Sequence, residues 1–172
     1  AYKTVHYPAN TADYEKGLKR LKFDELFLHQ VRTGMIKSER QKHSRGPLFK
    51  EVGKQFNEFY SKVLPFELTG AQKRVLKEIR RDTATGRQMN RLLQGDVGSG
   101  KTMVALLTML LAADNGFQGC LLAPTEILSR QHADHFRDLL KELPVKTALL
   151  TGSVKSKNRK KILEDLAEGS LD

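Results

Sequence analysis

Gly95-Asp96-Val97-Gly98-Ser99-Gly100-Lys101-Thr102 matches in full the Gly-x-x-x-x-Gly-Lys-Ser/Thr pattern of a phosphate-binding loop. Its neighbours agree with it. Arg91-Leu92-Leu93-Gln94 in front reads as a short apolar strand, and Met103 to Ala113 behind is a run of helix formers without Gly or Pro. The chemistry explains the spelling. Gly95, Gly98 and Gly100 permit positive φ and place no Cβ between backbone and phosphate. Successive N–H groups, Asp96, Val97 and Ser99 included, can then converge on an anion, backed by the positive end of the next helix. Lys101 adds a mobile charge for the β- and γ-phosphate oxygens, and Thr102 offers a hydroxyl to a magnesium ion that keeps several waters. Lys101 and Thr102 are therefore the candidate catalytic residues, Thr102 also the candidate metal contact.

Outward from this loop, residues 65–172 alternate helix and strand. Strands are expected at Asn90–Gln94, Gln118–Ala123 and Val145–Leu150, and helices at Thr69–Thr83, Lys101–Asn115, Glu126–Glu142 and Lys155–Glu168. That order predicts a parallel sheet with helices on its faces, and ligands at the carboxyl ends of the strands. Those ends are the phosphate loop, Ala123-Pro124-Thr125-Glu126 and Leu150-Thr151-Gly152-Ser153. Cys120, within Gly119-Cys120-Leu121-Leu122-Ala123, is expected as a small buried residue of a strand rather than a nucleophile.

Residues 1–64 differ in character and are expected to form a helical lead-in. Asp13 to about Arg45 reads as one long helix, with Tyr14, Leu18, Leu21, Leu28, Val31 and Met35 at three- and four-residue steps, widened by Phe23, Leu26 and Phe27. Gly17 and Gly34 weaken it locally, and His43-Ser44-Arg45-Gly46-Pro47 ends it. Val52, Phe56, Tyr60 and Val63 mark a second amphipathic segment that Pro65 stops. The aromatic residues of the long helix are expected as core contacts, and the lead-in, short of apolar residues, is expected to pack on something else.

The 172 residues have a mean hydropathy of −0.48, and their longest apolar stretch, Met103 to Ala113, is too short to cross a bilayer. One cysteine excludes an intramolecular disulfide and suits a reducing cytoplasm. The net charge of +10 is spread along the chain, 13 Lys/Arg against 7 Asp/Glu in residues 1–64 and 17 against 13 in 65–172. Such a balance fits a polyanion partner such as nucleic acid, or a basic soluble domain without one. His132 and His135 lie three apart on a helix, but no third metal ligand accompanies them.

A phosphate-loop NTPase also needs a carboxylate at the end of another strand to orient its metal. None of the three strand candidates closes on Asp or Glu, and Glu126 follows Pro124 at a helix start. The expectation is a piece of a larger enzyme, nearly inactive alone, whose second carboxylate comes from elsewhere.

Taken together, these motifs resemble the first motor domain of a superfamily 2 helicase, and more closely the RecG family of bacterial ATP-dependent DNA helicases. The resemblance rests on Arg20-Leu21-Lys22-Phe23-Asp24-Glu25-Leu26, Pro65-Phe66-Glu67-Leu68-Thr69-Gly70-Ala71-Gln72 and Met89-Asn90-Arg91-Leu92-Leu93-Gln94 before the loop. It continues in Ala123-Pro124-Thr125-Glu126-Ile127-Leu128 and Leu150-Thr151-Gly152-Ser153, and so covers nearly the whole chain. It implies a partial RecA-like parallel sheet of the phosphate-loop NTPase kind in residues 65–172, ATP and Mg²⁺ as ligands, and forked or branched DNA as partner. The remaining domains of a longer helicase would be partners in the same chain, and no membrane would be involved. Phe66 would stack on adenine, and Gln72 would pair with its Hoogsteen edge. Thr69-x-x-Gln72 is equally a capping box. Thr125 and Ser153 would contact DNA phosphates, although Thr125 also suits a helix N-cap. Lys155, Lys157, Arg159, Lys160 and Lys161 extend that track or form a solvated helix face. The rival readings are a transcription-repair coupling factor, a nucleotide kinase, for which no acceptor site is evident, and a non-catalytic basic DNA-binding module.

Overall fold

The computed structural model describes every residue except Ser44, and every other side chain except those of Gln41 and His43. Contacts divide it into two units, Ala1–Arg45 and Gly46–Asp172.

In the first unit a short helix α1 (Tyr2–His6) precedes the long α2 (Thr11–His43). Asn10 opens α2: its side-chain oxygen accepts from Asp13 N at 2.9 Å. Gly17, read from sequence as a weak point, is buried, and a Cβ there would run into Val5. It is where α1 lies against α2. The expected core role of the α2 aromatics is not seen. Phe23 and Phe27 stand half exposed and stack on each other at 5.4 Å, because α1 is too short to cover more than the start of α2. The expected helix terminator His43–Pro47 includes Ser44, which lies outside the described residues.

In the second unit, α3 (Lys54–Glu58) runs directly into a π-helical turn (Phe59–Val63) closed by Leu64 N donating to Phe59 O at 2.9 Å. Then come α4 (Gly70–Thr83), α5 (Lys101–Asp114), α6 (Glu126–Leu140) and α7 (Ser156–Ala167). Helix α5 is the centre. It buries Met103, Val104, Leu106, Leu107, Leu110, Leu111 and Ala112, a set that runs round the helix rather than along one stripe, as a core helix requires. Phe59, Leu68, Phe136, Leu140 and Leu143 close over it. The sequence reading ends the lead-in at Leu64. In the structure, Phe56, Phe59 and Val63 already belong to the α5 core, so the compact unit begins at Gly46.

The stretch before α3 is tied down by side chains. Asp114, at the end of α5, accepts from Gln55 N and Phe56 N, both at 2.9 Å, and so caps α3 from another helix. Asn115 accepts from Lys50 N at 2.7 Å and donates to Glu51 O at 2.9 Å. Arg80 of α4 donates to Phe49 O at 2.9 Å and Lys50 O at 2.7 Å.

The expected sheet is not seen. Among the described residues no strand forms, and residues 90–94, 118–123 and 145–150 have no regular secondary structure and do not pair with one another. Leu92 and Leu122 are each 89% exposed. Helix–strand alternation gives the order of elements, but a ladder also needs a neighbour, and consecutive strands are often not adjacent in a sheet. For the same reason Cys120, expected to be buried, is exposed.

Candidate nucleotide-binding site

The loop that opens α5 takes the left-handed backbone at two of its three glycines; Gly95 is not in that region, and Ser99 N donates within the loop to Asp96 O at 3.2 Å. Gly98 and Gly100 have φ of +79° and +77°, values that L side chains rarely adopt. A Cβ on Gly98 would meet only open space, whereas one on Gly100 would fall on Nε2 of Gln72. Gly100 O accepts from Met103 N at 3.0 Å, which starts the helix, and no side chain caps that helix end. Its first-turn N–H groups are thus free of a competing side-chain acceptor, as an anion site needs. Lys101 Nζ donates to Gly95 O at 2.7 Å, to Asp96 O at 2.6 Å and to Ser99 Oγ at 3.4 Å. The ammonium closes the loop on its own neutral oxygens, acceptors that a phosphate, as an anion, outcompetes. Thr102 lies in the first turn of α5. Glycines with a Cβ-free face, an uncapped helix start and an exchangeable ammonium fit a polyphosphate, and the Thr102 hydroxyl fits its metal.

Of its two expected roles, Gln72 takes the capping one, and its side chain also reaches the phosphate loop. The capping box is complete: Thr69 N donates to Gln72 Oε1 at 2.8 Å, and Gln72 N donates to Thr69 Oγ1 at 3.2 Å. Its remaining group, Nε2, donates to Ser99 O at 3.0 Å inside the phosphate loop. This last contact was not legible in the sequence. One Nε2 hydrogen and one Oε1 lone pair remain for another partner. Phe66 stands about half exposed, three residues before the cap.

Arg91 was also missed. It leads into the loop and donates to two carboxylates of α4, Asp82 at 2.6 Å and Glu78 at 2.8 Å. The Asp82 bond first, and Glu78 after it, hold the guanidinium more firmly protonated than usual. The i, i+4 spacing of Glu78 and Asp82 on a helix was the available signal. Helix α4 therefore grips the loop region twice, at Arg91 and at Ser99.

The other two strand-end motifs come together. Thr125 Oγ1 accepts from Leu128 N at 3.3 Å and caps α6, as its N-cap reading requires. One turn on, Arg130 donates through Nε at 3.1 Å and Nη2 at 2.7 Å to the same Glu126 oxygen, and through Nη2 to Ser153 Oγ at 2.7 Å. Ser153 in turn donates to Glu126, and the buried Thr151 hydroxyl lies 3.0 Å from Ser153 Oγ. The Ser153 hydroxyl first, and Arg130 next, hold the Glu126 carboxyl below the usual glutamate value. Lys155, Lys157, Arg159, Lys160 and Lys161 are all exposed. His132 and His135 flank the ring of the buried Phe136, at 6.1 and 6.3 Å between centroids. Among the described residues no group of three His, Cys, Asp or Glu could hold a metal ion, and no helix is long and apolar enough to cross a membrane.

A phosphate loop opening a buried helix, with a capping glutamine held against it, fits the nucleotide site of a phosphate-loop NTPase. Residues 69–170 match the DEAD/DEAH box helicase model, and the chain belongs to that family, whose members use ATP with a divalent metal. More particularly, it is homologous over its whole length to RecG: it is 43% identical over 172 residues to the ATP-dependent DNA helicase RecG of Streptococcus pneumoniae and 42% identical over 172 residues to that of Bacillus subtilis. In each case it spans 100% of this chain and 25% of the relative. A solved structure of RecG bound to a three-way DNA junction superposes with a TM-score of 0.84 at 42% identity, covering 96% of this chain and 22% of that one. The likeness supports a RecA-like helicase fold. The chain spans about a quarter of the length of the relatives it matches.

Proposed function

We propose that this chain is the helical lead-in (residues 1–64, of which residues 46–64 pack into the unit that follows) and the first part of motor domain 1 (residues 65–172) of a RecG-type helicase, which unwinds and branch-migrates forked DNA at the expense of ATP. The observation that carries the reading is the loop at Gly95–Thr102, held by Gln72 and closed by Lys101. In this reading residues 90–94, 118–123 and 145–150 are strands of a parallel sheet. Their ladder partners come from other parts of a polypeptide as long as the relatives.

The backbone of Gly95, Asp96, Val97, Gly98, Ser99 and Gly100 binds the phosphates, and Lys101 leaves the loop carbonyls to bind the β- and γ-oxygens. Thr102 is the residue placed to hold Mg²⁺, which when bound neutralises phosphate charge and supports attack by water. Phe66 stacks on adenine, and Gln72 uses its spare donor and acceptor on the base edge. Ser153, bonded to Arg130 and Glu126, and Thr125, the neighbour of Glu126 in the chain, are the residues read as meeting the DNA backbone. The relatives are bacterial, and the reading places the protein in the cytoplasm with the DNA.

The test is Lys101→Ala in the intact protein. ATP-dependent unwinding of a forked duplex should be abolished while nucleotide-free DNA binding persists. Unchanged unwinding would sink the reading.

A further inference from the structure

The cluster of Glu126, Arg130 and Ser153 holds more than the two hydroxyls expected to meet DNA. One oxygen of Glu126 receives three donors: Arg130 Nε, Arg130 Nη2 and the Ser153 hydroxyl. A guanidinium edge plus a hydroxyl converging on one anionic oxygen is the donor set that recognises a phosphate oxygen. The cluster is solvent-accessible, with the Arg130 side chain 52% and the Glu126 side chain 40% exposed. It spans the two chain segments whose ends carry Thr125 and Ser153.

Proton counting sharpens the point. Ser153 has a single hydroxyl hydrogen, and it is donated to Glu126. While that bond stands, Ser153 has no donor to offer a phosphate. Arg130 is largely committed too: Nε and one Nη2 hydrogen go to Glu126 and the other Nη2 hydrogen to Ser153, which leaves the two on Nη1. A glutamate on a DNA track would also repel the backbone unless its charge were matched or displaced.

We propose that Arg130 is a further ligand for a DNA backbone phosphate, and that the Glu126 carboxylate occupies the place of that phosphate until DNA displaces it. The inference rests on the reading that Thr125 and Ser153 face the DNA backbone. Glu126 then acts as an internal competitor. It keeps the donors preorganised, lowers affinity for DNA, and makes engagement of this track reversible as the motor steps. Lys155, Lys157, Arg159 and Lys161 are exposed and can make non-competing contacts, whereas Lys160 pairs with Glu164 at 3.7 Å.

The experiment is fluorescence anisotropy of the intact protein with a labelled forked duplex, without nucleotide, across a salt series. Ser153→Ala tests the underlying reading: a several-fold loss supports it, and no change in Ser153→Ala, Thr125→Ala and Arg130→Ala together overturns the track itself. Given a Ser153 effect, Arg130→Ala should weaken binding by about fivefold or more and flatten the salt slope by about one phosphate contact. Glu126→Gln keeps the shape and can still accept hydrogen bonds, but removes the charge, and it should tighten binding several-fold. Unchanged affinity in Arg130→Ala, or unchanged or weaker affinity in Glu126→Gln, overturns the proposal while leaving the track intact.

Discussion

Gln72 Nε2 donates to the Ser99 carbonyl at 3.0 Å, across a sequence separation of 27 residues. The bond joins the first turn of α4 to the phosphate loop. It uses the hydrogen-bonding group that the capping box leaves over, so one side chain fixes a helix start and a ligand loop at once.

This separates two variants. Gln72→Glu retains an oxygen for Thr69 N but has no donor for Ser99 O, whereas Gln72→Ala removes both. Both should raise the KM for ATP, by about fivefold if the bond is worth an ordinary buried hydrogen bond of about 1 kcal/mol. Only Gln72→Ala should also lose about 1 kcal/mol of stability through the broken cap. Paired ATPase titrations and urea unfolding read the two effects separately. Equal unfolding midpoints for the two variants would show that the cap contributes nothing.

Arg91 makes the second grip of α4, on the residue run that enters the loop. Its fork meets two carboxylates one helical turn apart, which a lysine can match in charge but not in geometry. Arg91→Ala should raise the KM for ATP several-fold with little change in kcat, because it loosens the binding loop without touching the reacting atoms. Arg91→Lys should fall between. A fall in kcat at unchanged KM would contradict a positioning role.

How much of this was legible follows from the range of each interaction. The helices came from local signals: the Thr69–Gln72 box, the Thr125 cap and the apolar run of α5 all act within one or two turns. The phosphate loop was legible because its glycines and lysine act through their own backbone and neighbours. Gln72 to Ser99, Arg91 to Asp82 and Arg130 to Ser153 join residues distant in sequence, and hydrophobic periodicity carries no trace of them. The sheet is not seen for the related reason that strand pattern specifies a face, while pairing is decided by which chain lies alongside. Phe56 and Phe59 were credited to the lead-in because Pro65 looked like a boundary, but the proline ends a helix and not a core.

Asp114 offers a stability test remote from both ligand sites. Its carboxylate takes two backbone N–H groups at the start of α3 and lies so close to Gly53 that a Cβ there would collide with it. Asp114→Ala leaves two part-buried donors without an acceptor and should cost about 1–3 kcal/mol. Asp114→Asn, which keeps one good acceptor, should cost less. Urea unfolding checks both, and a cost within error for Asp114→Ala would mean that water replaces the carboxylate fully.

The Glu126 carboxyl gives the pH dependence its sign. Ser153 and Arg130 favour its ionised form in the folded chain, so its folded value lies below that of the unfolded chain, about 4.3. The unfolded state therefore takes up the proton first as pH falls. The contribution of this group is complete above the ordinary glutamate value and is lost as pH drops through the lower, folded one. Glu126→Gln cannot titrate and should lack this component. The stability difference between wild type and Glu126→Gln should hold steady from neutral pH to about pH 5 and then shift against the wild type under more acid conditions. Unfolding midpoints of the two proteins from pH 3 to 7 measure it. A difference independent of pH would place Glu126 outside the Arg130–Ser153 cluster in solution, and with it would fall the reason for its exchange with a phosphate.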